Sequence, residues 1–258
     1  MLTDFQGSIL ISVVNLFFFF IINCMDKKEA PILNFTTVGH GKDIIFLHGW
    51  GGSILSFEFV AKAMTGYRST IVDFYGFGHS PEPAAPIGVK EYAAAVVETM
   101  NRLKIEDAVL VGHSFGGRVA IEIAATKPHL VNKLVLIDSA GIKPRRGIKY
   151  YFLVYLHKLL KRLRGRGLSG SMDYAVLSPV MKETFKKVVN YDQTNLLKKI
   201  SCPTAIFWGK RDKETPGYMA RKMRKNIAGS ALFYLDGGHY SYIDDYNKFI
   251  KIFKAFVQ

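Results

Sequence analysis

Ser114 lies between glycines in the stretch Gly112-His113-Ser114-Phe115-Gly116-Gly117, which has the pattern Gly-x-Ser-x-Gly. A serine hydroxyl in such a turn could attack a carbonyl carbon if a base removed its proton. A sharp turn forces an unfavourable backbone conformation on the serine, so the positions two residues away must lack side chains. The hydroxyl then stands at the N-terminus of a helix, whose amides favour developing negative charge. The stretch therefore predicts a nucleophilic serine rather than an ordinary glycine-rich turn.

The hydroxyl of Ser114 needs a base, and seven histidines could provide one. Of these, only His239 follows the serine in a loop just beyond a predicted strand, where two preceding glycines let the backbone reach toward the turn. His113 adjoins the serine but is expected to point elsewhere, and His48 is expected to organise its own loop. We therefore expect His239 to be the base.

A nucleophilic turn of this kind requires a strand before it and a helix after it, and the chain supplies both. Residues 108–111 are apolar and rich in β-branched residues, whereas residues 118–125 have the spacing of a helix. The same alternation predicts further strands at 31–38, 43–47, 70–73, 134–138, 204–208 and 231–235, and helices at 57–64, 90–103, 218–226 and 245–256. In helix 90–103 the predicted apolar stripe is formed by Ala94, Val97 and Met100. The alternation predicts an α/β fold with a mostly parallel central sheet and helices on both faces.

The alternation stops between about 141 and 200, where no strand of this type is predicted. We expect this stretch to be a helical cap inserted after the sixth strand. Within it, residues 152–163 have the pattern of a basic amphipathic helix, which fits a pocket cap better than a membrane-surface helix, with an ordinary surface helix as the third alternative. Four aromatic residues in the cap indicate an apolar pocket: Tyr150, Tyr151, Phe152 and Tyr155.

The first 30 residues are set apart from the domain that we expect at 31–258. Residues 8–25 are almost wholly apolar and would span roughly 27 Å as a helix, which is short for a bilayer. Lys27 and Lys28 follow, and the positive-inside rule would keep the next domain cytoplasmic, tethered by this segment. The alternative is that Met25 begins the native protein and that residues 1–24 are not part of it.

The formal net charge of +14 is concentrated in one stretch, because residues 139–172 contain no acidic residue. No helix-turn-helix, zinc-finger or RNA-binding pattern accompanies this charge, so a nucleic-acid partner is not expected. A surface facing anionic lipid or an acidic substrate, or a merely solvated face, accounts for it better. Two cysteines are too few for a disulfide framework. No metal-ligand motif or phosphate-binding loop is present, so no cofactor is implied.

Four motifs together carry a resemblance to the α/β-hydrolase superfamily, over residues 34 to the C-terminus. They are His48-Gly49-Trp50-Gly51, the loop from Asp73 to Ser80, the turn at Ser114, and two late loops that bear Asp212 and His239. The resemblance implies the chain order nucleophile, acid, base, and so makes Asp212 the carboxylate that orients His239.

Two further features of the site follow from this resemblance. Asp138, at the end of an earlier strand, is the alternative acid because some members of the superfamily are acidic there. The oxyanion hole is expected to consist of the backbone amides of Phe115, the residue after the nucleophile, and of Trp50. A serine at the turn also separates the chain from those members that use aspartate there.

We expect a cofactor-independent serine hydrolase that cleaves a carboxylic ester or thioester through an acyl-enzyme. Two alternatives remain open, one a different type of enzyme and the other a protein without catalytic activity. One is a carbon–carbon bond hydrolase or a menaquinone-pathway-type lyase. The arginine that follows two glycines, Arg118, resembles the pattern of the lyase. The other is a non-catalytic ligand-binding protein on the same fold. A membrane surface is left open as a further partner, through residues 8–25 and the basic cap.

Overall fold

The computed structural model of the protein describes residues 32–143 and 177–258, and all elements below lie in the unit Leu33–Gln258. Seven strands form one sheet in the order β1-β3-β2-β4-β5-β6-β7. They are β1 (Phe35–Val38), β2 (Lys42–Leu47), β3 (Tyr67–Val72), β4 (Ala108–His113), β5 (Val131–Ile137), β6 (Thr204–Gly209) and β7 (Ser230–Leu235). Strand β1 is antiparallel to β3, and every other pair is parallel. The predicted fold class, an α/β-hydrolase fold with a mostly parallel sheet, is confirmed.

Helices follow most of the strands, as parallel connections require. In chain order they are α1 (Glu58–Ala63), α2 (Val89–Arg102), α3 (Phe115–Thr126), α4 (Pro179–Asn190), α5 (Tyr218–Asn226), α6 (Ser241–Asp244) and α7 (Tyr246–Val257). The helix predicted at 218–226 has these bounds in the structure, and the others differ by a few residues at their ends.

Two apolar layers cover the two faces of the sheet, because successive side chains of a strand point to opposite sides. In β2, Ile45 and Leu47 join the layer beneath α2, α3 and α5, which also contains Val119. Ile44 and Phe46 join the opposite layer, which is built on α1 and α7. Every residue of β4 is buried, so the strand that leads into the serine turn is fixed from both sides.

The predicted apolar stripe of α2 was wrong in its phase. Ala94 is exposed and Val97 is only half-buried, whereas Tyr92 and Val96 are fully buried along with Met100. Three consecutive alanines at 93–95 make several helix faces look equally apolar, and the larger side chains of Tyr92 and Val96 decide which face packs.

The predicted insertion follows β5, which is the fifth strand of the described sheet and not the sixth. The count is lower by one because a single strand, β1, precedes β2 in the described residues. Of the predicted cap, the described residues contain α4, whose N-cap Ser178 accepts a hydrogen bond from the amide of Met181 at 3.1 Å. The amphipathic helix at 152–163, the aromatic residues 150–155 and the apolar segment 8–25 lie outside the described residues. Within the described ranges, no helix is long and apolar enough to cross a bilayer.

Candidate active site

Ser114 occupies a sharp turn between β4 and α3, with φ of 50° and ψ of −110°. Positive φ is rare for a residue with a side chain and is seen where surrounding structure imposes it. A Cβ at Gly112 would lie 2.5 Å from the carbonyl oxygen of Gly116, and one at Gly116 would collide with the carbonyl oxygen of Leu47. Both flanking glycines are therefore required by close backbone contacts, as the sequence predicts.

Three side chains from distant parts of the chain form one line of hydrogen bonds. Ser114 Oγ lies 2.8 Å from Nε2 of His239, and Nδ1 of His239 lies 2.9 Å from Oδ2 of Asp212. Ser114 follows β4, Asp212 follows β6, and His239 follows β7. The carboxyl ends of these parallel strands share one edge of the sheet, which brings the three loops together.

Asp212 is held as a carboxylate by donors on both of its oxygens. Oδ1 accepts from the amides of Glu214 and Thr215 at 2.8 and 3.0 Å, and Oδ2 accepts from the hydroxyl of Thr215 at 2.5 Å. Burial would raise the pKa of this carboxyl, but the hydrogen bonds from His239 and Thr215 outweigh burial and the pKa is lowered. An ionised Asp212 can fix the proton of His239 on Nδ1.

His239 is surrounded by carboxylates. Burial would lower the pKa of its imidazole, but the hydrogen bond that Nδ1 donates to Asp212 and the charges of Asp212, Glu214 and Asp138 raise it overall. Glu214 was not among the predicted site residues, yet its Oε2 lies 3.3 Å from Nε2 of His239. Its place two residues after Asp212, in the same turn, is the signal in the sequence that could have indicated it.

Asp138, the alternative acid, does not occupy the position beside Nδ1 of His239. Its Oδ1 accepts from the amide of Gly209 at 2.7 Å and its Oδ2 from the amide of Ser241 at 3.0 Å. Burial raises the pKa of Asp138 to about 7. The side chain thereby joins the end of β6, which carries the Asp212 loop, to the start of α6, which follows the His239 loop.

Two other histidines at this edge, His48 and His113, form hydrogen bonds with backbone groups of the loops. His113 is buried, and its Nε2 lies 2.7 Å from the carbonyl oxygen of His239. Burial lowers the pKa of His113 to about 3, so the ring is neutral and Nε2–H is the donor. His48 accepts from the amide of Phe74 at 3.1 Å and contacts the carbonyl oxygen of Gly49 through Nδ1 at 2.7 Å. His48 contacts its own loop, as predicted, whereas for His113 the sequence predicted only that the ring points elsewhere.

The two predicted oxyanion donors, Trp50 and Phe115, both line the cavity beside Ser114. Phe115 is the first residue of α3, so its amide has no acceptor within the helix. The loop before Trp50 lies against the serine turn, since a Cβ at Gly49 would be 2.9 Å from Nδ1 of His113 and 3.4 Å from Cβ of Ser114. The loop that bears Trp50 and the first turn of α3, which begins at Phe115, thus meet at the nucleophile.

A cavity of about 530 Å³ opens above Ser114 and His239. Its walls are mostly apolar, and they are formed by Trp50, Phe115, Ile142, Leu177, Phe185, Val188, Val189 and Met219. Of these, Phe185, Val188 and Val189 belong to α4. The rings of Trp50 and Phe185 pack at 5.1 Å, which joins α4 to the loop after β2. This volume fits a small organic substrate with an apolar group.

Two charged side chains besides His239 line this cavity in the described part of the chain, Arg118 and Glu214. Arg118 is buried and donates from Nη1 to the carbonyl oxygen of Tyr191 at 2.6 Å, just beyond α4. Burial lowers the pKa of Arg118 to about 10, which leaves the guanidinium charged at neutral pH. The described residues include no cluster of side chains that could hold a metal ion.

Comparisons with known proteins agree with this architecture. A family model described as alpha/beta hydrolase fold matches residues 43–165. The AB hydrolase superfamily protein YisY of Bacillus subtilis is 26% identical over 260 residues, covering 89% of this chain and 97% of that protein. An esterase from Exiguobacterium antarcticum has a TM-score of 0.71 at 25% identity, covering 87% of this chain and 95% of that one. A meta-cleavage product hydrolase from Pseudomonas fluorescens has a TM-score of 0.68 at 21% identity, covering 87% of this chain and 93% of that one.

Proposed function

Since the chain belongs to the α/β-hydrolase superfamily, we propose that it is a serine hydrolase that cleaves a carboxylic ester or thioester through an acyl-enzyme. The observation that carries the proposal is the continuous line of hydrogen bonds from Ser114 through His239 to Asp212, at 2.8 and 2.9 Å. These distances suit direct proton transfer between nucleophile and base.

In this proposal, Oγ of Ser114 attacks the carbonyl carbon while Nε2 of His239 takes the hydroxyl proton. Asp212 accepts the Nδ1–H and stabilises the imidazolium. The amides of Phe115 and Trp50 donate to the carbonyl oxygen as it becomes negative. When the bond to the alcohol or thiol breaks, Nε2 returns the proton to that leaving group, and the acyl group stays on Ser114. A water molecule then repeats the steps and releases the carboxylic acid.

The cavity supports an acyl group that is apolar and of moderate size. Its walls are aliphatic and aromatic on the side formed by α4 and residues 140–142, and its polar groups converge at Ser114 and His239. Burying one methylene of a substrate contributes about 0.8 kcal/mol. We therefore expect kcat/KM to rise with acyl chain length until the cavity is filled.

A fluorophosphonate probe together with a series of p-nitrophenyl esters of increasing chain length tests this function. The wild-type protein should be labelled and should hydrolyse the esters, whereas Ser114→Ala should do neither. Ser201→Ala is the matched control, because Ser201 is exposed at the opposite end of β6. A wild-type protein that resists labelling favours the non-catalytic binder, and ester turnover that survives in Ser114→Ala disproves the proposal.

A further inference from the structure

Glu214 is a second carboxylate on the proposed base, and it lies on the side where the proton moves. Its Oε2 is 3.3 Å from Nε2 of His239, while Asp212 contacts Nδ1 on the other side of the ring. Nε2 is also the atom that contacts Ser114 Oγ at 2.8 Å. The Glu214 side chain is 70% exposed and lines the cavity.

The contact between Glu214 and Nε2 changes character as the proposed reaction proceeds. In neutral His239 the proton is on Nδ1, so Nε2 presents a lone pair and offers Glu214 no donor. Once Nε2 has taken the proton of Ser114, it becomes a charged N–H donor beside a carboxylate. The contact is therefore favourable in the charged intermediate and not in the resting state, which is the condition for lowering a reaction barrier.

The leaving group would lie next to the same carboxylate. Nε2 must return its proton to the departing oxygen, so the substituents of that oxygen are placed within a few ångströms of Glu214. A positive charge on the departing alcohol would be attracted to Glu214, and a negative one would be repelled.

We propose that Glu214 is a further catalytic residue, whose carboxylate holds the proton on Nε2 of His239, and that it favours esters whose departing alcohol is cationic over isosteric neutral ones. The proposal rests on the hydrolase function proposed above, because it assigns Glu214 a part in the same proton transfer.

The other charged groups around His239 cannot replace Glu214 in this role. Asp212 is occupied at Nδ1, and Asp138 is engaged by the amides of Gly209 and Ser241. His113, whose ring lies 5.1 Å from that of His239, is neutral because burial lowers its pKa to about 3. Arg118, the other charged residue of the cavity wall, has its guanidinium bound to a carbonyl oxygen beyond α4.

Glu214→Gln tests the proposal, because it removes the charge, keeps the size and changes an exposed side chain. Two unit charges at this separation in bulk water interact by an amount equivalent to about one pKa unit. The imidazole signal of His239, identified by its absence in His239→Gln, should therefore titrate about one pH unit lower by NMR in Glu214→Gln. The matched control is Glu106→Gln, since Glu106 is exposed before the opposite end of β4.

Activity provides the second measurement, with butyrylcholine and 3,3-dimethylbutyl butyrate, which differ only in the charge of the alcohol. Glu214→Gln should lower the ratio of their kcat/KM values by about threefold or more, and Glu106→Gln should leave it unchanged. An unchanged ratio overturns the leaving-group preference. An unchanged titration of His239 overturns the proton-holding role whether or not any ester is hydrolysed. Failure of the wild-type protein to hydrolyse either ester, with the titration shifted, instead contradicts the hydrolase function.

Discussion

Replacing Asp212 with asparagine should disable His239 by imposing the wrong tautomer on its ring. Oδ1 of Asp212 accepts from the amides of Glu214 and Thr215 at 2.8 and 3.0 Å, so in Asp212→Asn the amide oxygen must keep that position. The NH₂ group then takes the place of Oδ2, 2.9 Å from Nδ1 of His239. Nδ1 must accept from it, the ring proton moves to Nε2, and Nε2 can no longer take the proton of Ser114.

A wrong tautomer of this kind costs about 10⁴-fold in rate, or about 5.4 kcal/mol of transition-state stabilisation. We expect a loss of that size in kcat/KM for p-nitrophenyl butyrate, with the free energy of unfolding measured in parallel by urea denaturation. Asp138→Asn is the matched control, because the oxygens of Asp138 accept from the amides of Gly209 and Ser241. It should lose less than about tenfold in kcat/KM. Its stability should fall by about 1–3 kcal/mol, because an NH₂ group would face an amide donor. Equal losses of activity in the two variants would refute the assignment of Asp212 as the acid.

Four other outcomes are expected. Ser114→Ala should lower kcat/KM by about 10⁴-fold or more while leaving urea denaturation nearly unchanged, and a large loss of stability would show a structural role instead. Burial would lower the pKa of His239, but nearby carboxylates raise it overall above 6.5. We therefore expect kcat/KM to fall on acidification with a midpoint above pH 6.5, and a midpoint below pH 6.5 would contradict this. The same raised pKa stabilises the fold below pH 6.5, and that stabilisation is lost as pH rises through the folded-state value. Gly116→Ala should destabilise the protein by about 1–3 kcal/mol, because its Cβ meets the carbonyl of Leu47. Gly217→Ala, where the nearest atom to a Cβ is 3.6 Å away, should change the stability by less than about 0.5 kcal/mol, and equal effects would refute the steric argument.

The architecture was predictable because its signals are local. Apolar runs of strand length alternate with helical spacing, and the strand, the serine turn and α3 all lie within residues 108–126. The need for glycine at 112 and 116 was likewise predictable, because it follows from the turn alone. By contrast, the phase of α2 depends on which side of the helix meets the sheet, and the alanines at 93–95 left that undetermined.

The surroundings of the candidate base were only partly predictable. The resemblance selected Asp212 over Asp138, and the structure brings Asp212 to Nδ1 while Asp138 binds two backbone amides. Glu214 was missed because its distance from Nε2 depends on how the turn after β6 folds toward a loop more than 20 residues later, which its place two residues after Asp212 does not determine by itself.

The hydrogen bond from His113 to the carbonyl of His239 determines how the protein should respond to acid. The two imidazoles lie 5.1 Å apart, yet His113 stays neutral down to a pH of about 3. Between there and neutrality only one ring of the pair exchanges a proton with solvent. His113 should therefore add no second ionisation to the dependence of kcat/KM on pH between about 3 and neutrality. Because the backbone link is intact throughout, the inactivation should reverse fully when the buffer is neutralised.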